Sequence, residues 1–142
     1  RRTFWDKLIL LLERRENLNN IPLKGLISFL GGLTITIGFF DYMPAVAGII
    51  VLSVTDSMGT LYGKYMGRVK VAWNSDKHLE GPIVGGFLST MLCYSFLPLF
   101  PALAASYCGA FIDTLKIKIL GIEIDDNLLI PVVAAGVVEL LV

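Results

Sequence analysis

Asp56 stands near the end of an apolar run that opens around Met43, and glycines follow it at Gly59, Gly63 and Gly67. If residues 43–66 form one helix, Asp56, Gly59, Thr60, Gly63 and Gly67 fall on one face, at steps of three and four. The plainer reading of the glycines is a double G-x-x-x-G that lets helices pack closely. That reading accounts for the glycines but leaves Asp56. An acidic side chain at membrane depth costs about 2.5–3.5 kcal/mol on insertion scales and usually marks function. Glycine beside a carboxylate also opens room for a phosphate chain close to the backbone. A metal ion and a phosphate are the chemistry these residue types suit.

Four cations follow within fourteen residues: Lys64, Arg68, Lys70 and Lys77. They read either as ordinary charge on a membrane loop or as a clamp on a nucleotide polyphosphate, Arg as a planar fork and Lys as a point charge. His78 reads as a solvated loop residue with no role. Glu80, before Gly81 and Pro82 at the mouth of the next helix, can pair with a lysine of the loop or assist a metal. Further on, Asp125, Asp126 and Asn127 directly precede an apolar helix. Helix capping explains one acid there, but not two with an amide. Hard oxygen ligands on separate elements suit Mg²⁺, which uses one or two carboxylates plus substrate phosphates. The expected metal ligands are therefore Asp56, Asp125, Asp126 and Asn127, with Asp113 as a further member. The expected nucleotide-binding set is Gly59, Gly63, Lys64, Gly67, Arg68, Lys70, Lys77 and Glu80. Asp56 and Asp126 are the expected catalytic residues, Asp56 as a proton acceptor. Glu139 has no evident partner. Cys93 and Cys108 lie in apolar segments and read as buried thiols.

The elements that must carry these residues are apolar. Hydrophobic residues make up 55% of the 142-residue chain and charged residues 17%, below the roughly 25% of soluble domains. The apolar residues come in long runs, which predicts a membrane protein with an all-α fold: a multi-pass helical bundle in one domain, 1–142. Residues 1–20 predict an interfacial helix with a charged end. Crossings are expected over 22–40, 43–62, 82–97, 99–115 and 127–142, with turns at "DYMP" and "LPLFP" and polar loops over 63–81 and 116–127. Gly31–Gly32 and Gly85–Gly86 are read as packing positions. The chain starts at Arg1, which leaves upstream helices open, and no cleavable signal peptide is read. With five crossings, all 12 Lys and Arg residues fall on one side, which the positive-inside rule makes cytosolic. Asp56, Asp125 and Asp126 then share that side.

The stretch "TDSMGTLYGKYMGRVKVAWNSDKHLEG" resembles the signature of CTP-dependent lipid kinases, the dolichol kinase and phytol kinase group. Their pattern runs Asp, small residues, Gly, three residues, Gly-Lys/Arg, then a lysine-rich stretch ending Lys-[Ser/Thr]-x-Glu-Gly. Lys77, Glu80 and Gly81 match that ending, while His78 replaces the usual hydroxyl residue. "IEIDDNLLIPV" resembles the group's closing Asp-Asn-x-x-x-Pro segment through Asp126, Asn127 and Pro131. The resemblance covers roughly residues 10 to 142. Related phosphatidate cytidylyltransferases share the first signature, but their closing Asp-Arg-x-x-Asp pattern is absent here.

The resemblance implies a Mg²⁺-dependent kinase that takes CTP, the cytosine being implied by the resemblance alone, and phosphorylates a membrane lipid alcohol of the polyprenol, dolichol or diacylglycerol kind at the cytosolic interface. Two alternatives stand beside it: a cytidylyltransferase making a CDP-activated lipid, and a non-enzymatic membrane transporter or assembly subunit. The expected partners are CTP, the lipid alcohol and the bilayer. A homo-oligomer is compatible with the sequence, and no nucleic-acid partner is expected.

Overall fold

A computed structural model describes residues 24–119 and 122–142, so the interfacial helix expected over 1–20 lies outside the described residues. The described chain forms five helices: α1 (Lys24–Phe39), α2 (Tyr42–Tyr65), α3 (Glu80–Cys93), α4 (Leu99–Thr114) and α5 (Asp126–Leu141). The first expected turn shrinks to residues 40–41, and the second lies earlier, over residues 94–98, because α3 ends at Cys93 and the prolines that suggested later breaks sit in the first turns of helices. Pro44 and Pro101 fall there, where a missing N–H costs nothing. Helix α2 packs against α3, α4 and α5, and α1 lies mainly on α5.

Both segments expected to be polar loops contain antiparallel hairpins: β1 (Lys70–Val71) with β2 (Asn74–His78), and β3 (Ile117–Ile119) with β4 (Ile122–Ile124). The second was written in the sequence. Ile117 and Ile119, then Ile122 and Ile124, alternate with other residues about a central Gly121, which is the two-residue period of a strand. The all-α class is as expected, with these two small hairpins added.

The interior mixes Val51, Leu52, Leu97, Ile130 and Val138 with many small residues. The interior holds Ala47, Ala102, Ala105, Ala134 and Ala135 with the hydroxyl residues Thr36, Thr55, Ser89, Thr90 and Ser106. Large side chains such as Leu26, Ile27, Leu30, Ile83, Phe87, Met91, Phe100 and Phe111 face outward. Several inner hydroxyls are satisfied by their own helix: Thr36 donates to the Gly32 carbonyl, Ser89 to Gly85 and Thr90 to Gly86, each at 2.7 Å. Of the described helices, α2 is long and apolar enough to cross a membrane by length and composition, and α1 is a shorter apolar helix. At 14–16 residues, the helices other than α2 rise about 21–24 Å.

Close approach of backbones sets the packing. A Cβ on Gly81 would stand 2.7 Å from the Gly59 Cα, and one on Gly85 would stand 2.9 Å from the Thr55 Cα, so α2 and α3 touch main chain to main chain. Helix α1 meets α5 through Gly32, where a Cβ would lie 2.5 Å from the Asn127 carbonyl oxygen. That carbonyl belongs to the turn in which Pro131 supplies no N–H. Gly81→Ala is expected to destabilise the fold by about 1–3 kcal/mol, since neither backbone can yield as a flexible side chain would. Thermal unfolding in detergent checks this; a variant as stable as the parent would show that the α2–α3 contact is looser than described.

Candidate functional site

The C-terminal half of α2, the end of α4, the start of α5 and the two hairpins enclose a cleft of about 480 Å³. Asp56, Gly59, Thr60, Gly63 and Lys64 line it from α2. Asp113 lines it from the last turn of α4, and Asp125 and Asp126 from the start of α5. Asn74, Asp76, Lys77 and His78 come from β2, Lys24 from the start of α1, and Lys116 from the segment after α4. Five carboxylates and four ammonium groups thus share one hollow.

At its centre Lys77 donates to Asp113 Oδ1 at 2.6 Å and to Asp126 Oδ2 at 2.5 Å. Asp113 is 1% exposed, and only Oδ1 meets the ammonium. Its Oδ2 is buried without a hydrogen-bond partner and faces Gly59, where a Cβ would come within 3.1 Å of it. Gly59 therefore serves two contacts at once, the α3 backbone and the Asp113 carboxylate.

The first hairpin that delivers Lys77 is tied down at three places. Trp73 Nε1 donates to Thr114 Oγ1 at 3.2 Å, and its ring meets Phe111 edge-on at 6.0 Å between centroids. Asn74 Nδ2 donates to the Thr114 carbonyl at 3.1 Å. Glu80 Oε1 accepts from the backbone N–H groups of Arg68 and Val69 at 2.9 and 3.0 Å, closing the chain back on the start of α3. Lys116 pairs with Asp76 at the rim.

Charge and burial act together on the titrating groups. Burial pulls Lys77 down, but the Asp113 and Asp126 carboxylates outweigh it and hold the ammonium above its ordinary value of 10.5. Burial, with the neighbouring Asp126 charge, pushes Asp125 up, while the Asn127 backbone N–H and Lys24 partly offset this. The hydrogen bond from Lys116 holds Asp76 below the usual carboxylate range.

Of the residues expected from sequence, Asp56, Gly59, Gly63, Lys64, Lys77, Asp125 and Asp126 are brought together in the cleft. Gly67, Arg68, Lys70, Glu80 and Asn127 are not among its lining residues. Gly67 makes room for the His78 ring, since a Cβ there would lie 2.5 Å from His78 Cγ. Arg68 and Lys70 are exposed. Glu80 organises backbone rather than facing the hollow. Asn127 donates its N–H to Asp125 Oδ1 at 3.1 Å, so the capping reading holds for this pair, although Asp125 also lines the cleft. Asp113, expected only as a further member, is central. His78, given no role, lines the wall, as do Lys24, Asn74, Asp76 and Lys116, which the sequence reading did not select. An acid inside an apolar helix was a visible signal for Asp113; nothing local marked Asn74 or Asp76.

Among the described residues no three His, Cys, Asp or Glu side chains are gathered closely enough to hold a metal by themselves. A hard cation nonetheless fits the donor set. Asp56, Asp113, Asp125 and Asp126 line a hollow large enough for phosphates that would complete the shell, and Asp113 Oδ2 is buried without a hydrogen-bond partner.

Lys77→Met is expected to cost about 3–5 kcal/mol, because it strands the buried Asp113 charge. The pH dependence has a definite sign. A raised folded-state pKa makes the Lys77 contribution complete below 10.5 and lost as pH climbs through the folded value. The parent should therefore lose this stabilisation only in strongly alkaline buffer, above about pH 10, a step that Lys77→Met lacks. Unfolding curves of both proteins through that alkaline range check it; an equal loss at the same pH in the variant contradicts it.

Compared with known protein families, curated proteins and solved structures, the chain matches none.

Proposed function

We propose that this chain is a multi-pass membrane enzyme that transfers the γ-phosphoryl group of CTP to the hydroxyl of a polyprenol- or dolichol-like lipid alcohol at the cytosolic face, with Mg²⁺. The observation that carries this reading is the gathering of Asp56, Asp113, Asp125 and Asp126 with Lys64 and Lys77 around one hollow at one end of an apolar bundle. The choice of CTP and of a lipid alcohol comes from the resemblance of 55–81 and 122–132 to the lipid kinase signatures.

Membrane embedding is supported by the outward-facing Leu, Ile and Phe side chains around a small and hydroxyl-rich interior, the packing favoured where lipid is the solvent. At the other end of the bundle the acids are Asp41 and Glu139, both exposed. No described acid lies buried between that end and the cleft, which favours an interfacial site over a path for ions.

A second hollow of about 390 Å³ on α2 is lined by Ser57, Leu61 and Tyr65 and shares Asp56, Thr60 and Lys64 with the cleft. It offers an amphipathic acceptor a way to bring its hydroxyl beside Asp56 while its chain stays against the apolar exterior. In the proposed reaction the hydroxyl oxygen bonds to the γ-phosphorus, the bond to the β–γ bridging oxygen breaks, and CDP leaves with that electron pair. The hydroxyl proton passes to a carboxylate, for which Asp56 is best placed. Lys64, and Lys77 once freed, would hold phosphate oxygens. Asp56 and Asp126 would hold Mg²⁺, which supplies charge neutralisation at the nucleotide oxygens during transfer. Arg68, Lys70, Glu80 and Asn127 lose the direct roles first expected of them.

The test uses purified protein in detergent, radiolabelled CTP or ATP and a panel of lipid alcohols. Labelled phospholipid and CDP are expected, with transfer falling by about 100-fold or more in Asp56→Asn and Asp126→Asn while folding persists. Pyrophosphate in place of CDP would assign the chain to cytidylyl transfer. Full activity in both variants would remove the metal and catalytic assignments.

A further inference from the structure

The Lys77 ammonium occupies the place where a divalent cation would join two helices. It stands 2.6 Å from Asp113 Oδ1 on α4 and 2.5 Å from Asp126 Oδ2 on α5. The three partners are not equally held. Asp113 is 1% exposed and sits at the wall, whereas the Lys77 and Asp126 side chains are 29% and 24% exposed toward the hollow. The lysine can swing away; the Asp113 carboxylate cannot follow it. One ammonium also leaves the site half used, because Asp113 Oδ2 is buried with no hydrogen-bond partner. A buried carboxylate oxygen without a partner is costly, and its presence points to a ligand that completes it.

We infer that Asp113 and Asp126 form a divalent-cation site that Lys77 fills in the nucleotide-free protein, and that entry of Mg²⁺ with a polyphosphate moves the ammonium from the carboxylates to the phosphate oxygens. Charge decides the order of events. A divalent ion alone must evict an ammonium from its two carboxylate partners. A polyphosphate alone meets a hollow whose five carboxylates outnumber its four ammonium groups, with Lys77 already engaged. Together they replace every lost contact, the metal taking the carboxylates and the phosphate taking Lys77. Metal and nucleotide should then each raise the affinity for the other. This assignment rests on reading the cleft as the metal–nucleotide site, and it adds Asp113 to that site in place of Asn127.

Mn²⁺ binding followed by electron paramagnetic resonance tests it without any turnover. Protein free of nucleotide is titrated as parent, Lys77→Met, Asp113→Asn and the double variant Lys77→Met with Asp113→Asn. Lys77→Met is expected to bind Mn²⁺ at least tenfold more tightly than the parent, and Mn²⁺ is expected to raise its unfolding temperature. The double variant buries no lone charge and should fold, yet bind no more tightly than the parent. If Lys77→Met unfolds on its own, Mn²⁺ added during refolding should restore it. Equal Mn²⁺ affinity in parent and Lys77→Met, tight binding in the double variant, or failure of Mn²⁺ to rescue an unfolded Lys77→Met would each overturn the assignment. Because metal alone is the probe, these results stand apart from whether phosphate reaches a lipid. A kinase with no Lys77-dependent metal affinity defeats this inference, and a metal-binding protein without transfer defeats the proposed function.

Discussion

A carboxylate buried at the end of an apolar helix needs a cation, and Asp113 finds one in the Lys77 ammonium, which it shares with Asp126. Three elements far apart in sequence, α4, the first hairpin and the start of α5, are held in register by that contact. The supporting bonds are arranged around it. Trp73 and Asn74 fasten the hairpin to Thr114, the residue next to Asp113, and Glu80 fastens the other side of the hairpin to the start of α3. With the lysine removed, the hairpin would still be docked, but a negative charge would be left inside the bundle. Breaking a buried pair by deleting one partner is far more costly than never having built it.

The bundle around the cleft follows a different logic. Many large apolar side chains face outward, while Val51, Leu52, Leu97, Ile130 and Val138 form a buried cluster with small residues between them. Small residues also let backbones touch, at Gly81 on Gly59 and at Gly32 on the Asn127 carbonyl. Gly59 joins the two systems. The same absence of a side chain that admits α3 also exposes its face to Asp113 Oδ2. Helix packing and site construction, which look like competing explanations for the glycine face, are both served by one position. At Gly67 only packing applies, since its space is taken by His78.

Much of this was legible in sequence because the signals are local or chemical. Long apolar runs marked the helices, and acids within or beside them marked Asp56, Asp113, Asp125 and Asp126. The convergence of Asp56 with the pair 125–126 followed from the five expected crossings, which put all three on one side. The hairpins were harder. The isoleucine alternation of 117–124 carried a strand period, but its charged residues drew the reading toward a loop. The fate of individual cations was not legible at all. Lys64, Arg68, Lys70 and Lys77 are alike in composition and close in sequence, yet only Lys64 and Lys77 line the cleft. Lys70 pairs with His78, which lines the cleft, yet Lys70 itself is exposed outside it. Asn74 and Asp76 line the cleft through tertiary contacts that no short motif announces.

The central claim is that a nucleotide-bound divalent ion sits among the C-terminal half of α2, the end of α4 and the start of α5. Substituting Fe²⁺ for Mg²⁺ in the presence of CTP and generating hydroxyl radicals at the metal would cut the backbone within a few ångströms of the ion. The account predicts CTP-dependent cuts confined to three separated stretches, near 56–64, 113–116 and 124–127. Cuts confined to one stretch, located at the Asp41 and Glu139 end, or unaffected by CTP would contradict it.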